Sequence, residues 1–117
     1  MDDRTLAALD ASILHWEQNL AAETPGDVRV EADDCALCGL FLYTPDPHES
    51  CDGCPVFKST GNRACDGTPY ELAFSAYREW NAAPEDHVRR AVFRTHARAE
   101  IEFLRSLRPV GERAVDP

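Results

Sequence analysis

Apolar positions along the chain form three long helical stretches and leave one stretch with no period. In residues 4–23, Leu6, Leu9, Ile13, Trp16 and Leu20 recur at alternating spacings of three and four, which is one apolar stripe on a helix. Asp2 or Asp3 stands where an N-cap is needed, and "TPGD" at residues 24–27 stops the helix. The "VRVEADD" that follows suits a short extended piece but is too brief to announce a sheet. "TPYELAFSAYREWN" then signals a second helix: Thr68 at the N-cap, Pro69 at N1 and Glu71 at N3 complete a capping box. Tyr70, Ala73, Phe74, Tyr77 and Trp80 form its buried face. Pro84 opens a third helix, with Glu85 and Asp86 in its first turn and an end near Leu107, before Pro109. Its wide apolar face comprises Val88, Val92, Phe93, Ala99, Phe103, Leu104 and Leu107.

Residues 35–67 break the period. Pro45, Pro47, Gly53, Pro55, Gly61 and Gly67 punctuate them, which is loop chemistry. So long a loop is unusual inside a compact domain, so something other than backbone ladders has to order it. The pattern therefore predicts a mainly α fold, about three helices packed around an irregular cysteine-rich loop. A single domain is expected over residues 1–108, with residues 109–117 a flexible tail.

All five cysteines lie in this segment: Cys35, Cys38, Cys51, Cys54 and Cys65. The first four make two C-x2-C pairs, a spacing that lets both sulfurs of a pair turn toward one ion while backbone amides donate to the thiolates. Gly39 and Gly53 are expected to permit the tight backbone such knuckles need. Four of the five thiols are expected to bind metal. Three chemistries stay open at this point. Zn²⁺ accepts a tetrahedral four-sulfur shell. A 4Fe–4S cluster also takes four thiolates, and Leu37, Leu40, Phe41, Val56 and Phe57 would shield it. A dithiol redox pair has the same C-x2-C spacing, but no βαβ pattern accompanies it. His48, three residues before Cys51, and His15, beside Trp16, are candidate nitrogen ligands; a solvated loop histidine and a half-buried helix histidine are the plainer readings. His87 and His96 are nine apart and do not share a helix face as a zinc pair would.

Charge narrows the function. The net charge of −9 argues against non-specific nucleic-acid binding. It is unevenly spread: residues 1–34 carry nine acids and two arginines, while residues 83–108 carry six arginines and four acids. Arg90, Arg94, Arg98 and Arg105 make a stripe on the third helix that could track phosphates, or be an ordinary solvated face. The early acids of "MDDRTLAALD" do not read as a secretory signal, and no run approaches the ~18 apolar residues of a membrane span. A cytosolic protein without a membrane anchor is expected, where clustered cysteines favour metal over structural disulfides. No nucleophile–base motif stands out, and a full cysteine shell leaves a metal no open position for catalysis. A non-enzymatic module is the expectation.

"SILHWEQNL" (residues 12–20), "CALC" (35–38), "CDGCPV" (51–56) and "TGNRACDGTPYE" (60–71) occur in that order. The layout H-W…C-x-L-C…C-x2-C-P…T-G-x3-C-x2-T-P-Y resembles a group of small cysteine-rich phage and prophage proteins, over about half the chain. The resemblance implies phage origin and metal binding, draws Cys65 and His15 toward the site, and suggests a protein partner such as a host protein. It implies no particular chemistry. A core of three helices this size is marginal, so removal of a structural metal is expected to disorder residues 35–67 and to threaten the whole fold.

Overall fold

The computed structural model describes residues 1–30, 35–41, 53–61 and 67–109. The chain is mainly α, and no strand occurs among the described residues. The elements are α1 (Asp3–Ala21), a single 3₁₀ turn (Pro25–Asp27), α2 (Ala36–Phe41), α3 (Pro55–Thr60), α4 (Pro69–Ala82) and α5 (His87–Ser106). The three long helices are those the periodicity predicts. The cysteine segment adds two that it does not, α2 and α3, each too short for a hydrophobic period to be read. The expected tail beyond Pro109 lies outside the described residues.

Local chemistry sets the helix ends. Asp2 caps α1 by accepting from the Thr5 N–H at 2.7 Å, and that bond holds its carboxyl below the usual range. Thr68 caps α4 by accepting from Tyr70 N–H, with Pro69 behind it. For α5 the cap is Asp86, which accepts from both Val88 and Arg89 N–H. Pro84 and Glu85 therefore stand before the helix rather than in its first turn. The Pro84 carbonyl instead accepts from the Trp80 indole at 3.3 Å and closes the α4–α5 turn.

Helices α1 and α4 both pack on α5. Phe93, fully buried on α5, is the hub: its ring lies 5.5 Å from that of Trp80, 6.5 Å from Trp16 and 6.5 Å from Tyr77. The buried face of α5 is Phe93, Ala97, Glu100, Ile101 and Leu104. This corrects the sequence reading at two positions, since Val88 is 71% and Val92 42% exposed. They fall one turn apart on α5, on the side of the helix away from the face that buries Phe93 and Ala97. On α1 the buried stripe includes Thr5, Ser12 and Asn19 beside Leu9, Ile13 and Trp16, while Leu6 and Leu20 are half-buried.

Residues 28–30 lie against α1 with no strand partner among the described residues. Asn19 takes that role: its Nδ2 donates to the Arg29 carbonyl at 2.9 Å and its Oδ1 accepts from the Arg29 N–H at 3.0 Å. Asn19 is 2% exposed, so these part-buried bonds are sheltered from water on the helix side. His15 Nε2 donates to the same carbonyl at 2.6 Å, and Tyr70 Oη donates to the Val30 carbonyl at 2.5 Å. Val28 and Val30 then bury on either side of Arg29, and the segment ties α1 to α4 just before the first cysteine.

Candidate metal centre

Cys35 immediately precedes α2, and the first turn of that helix brings Cys38 back over it. The Cys38 N–H donates to Cys35 Sγ at 3.4 Å, the amide-to-sulfur bond that a C-x2-C pair offers a metal-bound thiolate. The Ser12 hydroxyl of α1 lies 4.0 Å from the same sulfur and is itself buried. The hydrogen bond from the Cys38 side chain is the largest influence on the Cys35 thiol. Burial opposes it, and the Cys38 amide and Ser12 hydroxyl reinforce it; together they bring Cys35 down to about 6. Cys35 is therefore disposed to be a thiolate, the form that binds metal.

Cys54 occupies the N-cap of α3, with Pro55 at N1, and its sulfur-bearing side chain is buried with Val56 and Leu37 in the main core. Gly53, just before it, is constrained: a Cβ there would lie 2.5 Å from the Phe41 ring of α2. That close approach couples α2 to α3, one carrying Cys38 and the other following Cys54. The α3 helix ends at Gly61, which takes the left-handed conformation at φ +75° and donates its N–H to the Phe57 carbonyl. Gly39 has open space around its Cα and needs no glycine for the turn, contrary to the sequence expectation.

Cys35 is a free thiol. Cys51, Cys65 and His48 lie outside the described residues. Among the described residues, no three His, Cys, Asp or Glu side chains already stand together as a metal-binding group. The structure thus brings Cys35 and Cys38 together and seats Cys54 in the adjoining core. It gives His15 to the Arg29 carbonyl through Nε2.

Two arginines of the α5 stripe reach across to α1 and its C-terminal end. Arg105 pairs with Glu17 at 2.7 Å, and Arg90 donates to the Ala22 carbonyl at 3.3 Å, at the C-terminal end of α1. Arg108 pairs with Asp10. Arg94 is half-buried with its Nε sequestered, and Arg98 is exposed. The acidic first third and the basic last third thus offset one another within the fold.

Glu100 is the residue that sequence reading missed. It lies on the buried face of α5, is 3% exposed, and its Oε1 has no hydrogen-bond partner among the described residues. Burial, and then the negative charge of Cys35, push its carboxyl up to about 8. The signal was present: Phe93, Ala97, Glu100 and Leu104 follow the four-three-four spacing of the apolar stripe, and a carboxylate is out of place on it.

Comparison with known proteins adds no relative: no protein-family model, curated protein or solved structure matches the chain. Among the described residues no helix is long and apolar enough to cross a membrane.

Proposed function

We propose that this protein is a small helical module whose cysteine segment binds a metal, Zn²⁺ in the first instance, and whose metal holds that segment against the three long helices. The Cys35–Cys38 pair carries the reading: two thiols within one helical turn, one receiving the other's amide and lowered toward its thiolate. Cys54, with Cys51 or Cys65, would complete a set of four. Leu37, Cys54 and Val56 belong to the same core as Trp16, Trp80 and Phe93, so an ion fixed by these sulfurs would also fix one wall of that core. The role is structural, and the module serves a protein partner, a host protein if the phage resemblance holds. Exposed Val88 and Val92, one turn apart on α5, offer such a partner an apolar step.

The 4Fe–4S alternative draws on the same thiols and on the burial of Cys54. Colour separates the two: an iron–sulfur protein purified without oxygen is brown and absorbs near ~400 nm, whereas a zinc protein is colourless. Nucleic-acid binding through Arg90, Arg94, Arg98 and Arg105 is disfavoured, because Arg90 and Arg105 already hold α1. The test is metal uptake by the full chain and by Cys35→Ser and Cys54→Ser variants. Stoichiometric uptake by the wild type and its loss in the variants supports the proposal, and a wild type that takes up no metal refutes it.

A further inference from the structure

We infer that Cys35 and Cys38 form an oxidation site: a peroxide closes the pair to an intrachain disulfide, and the disulfide takes both sulfurs away from the metal. Metal release rests on the metal-binding reading above, whereas closure of the disulfide stands without it. Cys35 directly precedes α2 and occupies its N-cap position, where Sγ accepts the Cys38 N–H at 3.4 Å as an N-cap oxygen would. That bond folds the Cys35 side chain back over the first turn, toward Cys38. The Gly39 N–H donates to the Cys35 carbonyl at 3.0 Å and closes the same turn. Residues three apart on an α-helical turn have Cα atoms about 5 Å apart. A disulfide accepts Cα separations of about 4.4–6.8 Å, so the turn needs no backbone shift to be bridged. The Cys38 thiol also hydrogen-bonds Cys35 Sγ, which puts one sulfur within reach of the other.

The surroundings favour this pair over Cys54. Cys35 and Cys38 are half-buried, so a small oxidant reaches them, while Cys54 is 7% exposed. The Ser12 hydroxyl of α1 lies 4.0 Å from Cys35 Sγ, so a hydroxyl and an amide flank the sulfur that reacts first. In the first step Cys35 Sγ attacks the near oxygen of the peroxide. The O–O bond breaks, the far oxygen leaves as water or an alcohol with the thiol proton, and Cys35 becomes a sulfenic acid. Cys38 Sγ then attacks that sulfur. The S–S bond forms, the S–O bond breaks, and the hydroxyl leaves as water with the Cys38 proton. The pair loses two electrons and the peroxide gains them. A disulfide sulfur carries no thiolate charge, so neither atom remains a metal ligand, and a thiol reductant restores both.

The test exposes the full-length protein, purified without oxygen, to an equimolar amount of hydrogen peroxide. Alkylation of the remaining thiols and peptide mass spectrometry then map every disulfide. The expected product is a Cys35–Cys38 disulfide with loss of both thiols, reversed by dithiothreitol. Under the same treatment Cys38→Ser should leave Cys35 as a sulfenic acid, trapped by dimedone. Zn²⁺-loaded wild type should release its metal to a chromogenic indicator as the disulfide forms, and rebind it on reduction. A wild-type pair that stays reduced, or that joins other cysteines instead, overturns the oxidation site. If that happens in a chain that holds metal, the oxidation site alone falls. If the disulfide forms in a chain that never takes up metal, the oxidation site stands and the metal reading falls. A disulfide that forms while the metal stays bound overturns the release step.

Discussion

Asn19 holds residues 28–30 in place with one side chain, and replacing it with leucine tests whether that clamp matters. Leucine has a similar volume, so little cavity should form. Both hydrogen bonds to Arg29 are lost, and the two backbone groups fare differently. The Arg29 carbonyl keeps its bond from His15 Nε2, so it remains satisfied. The Arg29 N–H loses its acceptor, Asn19 Oδ1. Losing one net bond costs about 1 kcal/mol, and an orphaned, part-buried donor adds about 1–2 kcal/mol, giving about 2–3 kcal/mol in total. For a chain of this size that corresponds to a fall in melting temperature of about 10 °C. Urea denaturation followed by far-ultraviolet circular dichroism measures it, and the midpoint should move with no change in slope. Because Val28 and Val30 flank the clamp and Tyr70 reaches the Val30 carbonyl, metal affinity should also weaken. A loss below about 0.5 kcal/mol would show that Asn19 is incidental and that valine burial alone positions the segment.

Other substitutions probe the remaining joints. Phe93→Leu should cost about 1–2 kcal/mol and Phe93→Ala about 4 kcal/mol, read by denaturant melts, because Phe93 is the fully buried ring between Trp16, Tyr77 and Trp80. Gly53→Ala forces the Phe41 ring to move and should cost about 1–3 kcal/mol while weakening Co²⁺ binding, measured by titration. Arg105→Ala removes an ion pair whose members are 57% and 41% exposed, and should shift stability by less than about 1 kcal/mol, an effect that shrinks further in high salt. Chelation should release α2 and α3 first, seen as early loss of hydrogen-exchange protection at the Gly39 and Lys58 amides, which donate to the Cys35 and Cys54 carbonyls, while α5 stays protected.

The long helices were legible because each carries a stripe, a start signal and a stop. Asp2 and Thr68 announce their caps in plain sequence, whereas Asp86, which reads as a first-turn residue behind Pro84, is itself the cap of α5; Leu9, Ile13 and Trp16 mark the inner face of α1. What escaped was the phase of α5. Val88 and Val92 look like the start of its stripe, yet the buried face begins at Phe93, and only the α4–α5 turn at Pro84 decides that. Helices α2 and α3 escaped because six residues carry no measurable period. The site was half legible. C-x2-C spacing identifies the Cys35–Cys38 pair without coordinates, whereas Ser12 of α1 comes from distant sequence and is joined to Cys35 only by helix packing, and Glu100 is legible only as a carboxylate out of place on an apolar stripe. Asn19 gave no signal at all, since a polar residue near a helix end reads as surface.

The most direct measurement is elemental analysis of the full-length protein purified without oxygen, with circular dichroism recorded before and after chelation of the same sample. About one zinc per chain, with helical signal and melting temperature both falling when it is removed, is the expected outcome. Protein that carries no metal and melts unchanged in the presence of chelator would contradict a metal-held cysteine segment outright.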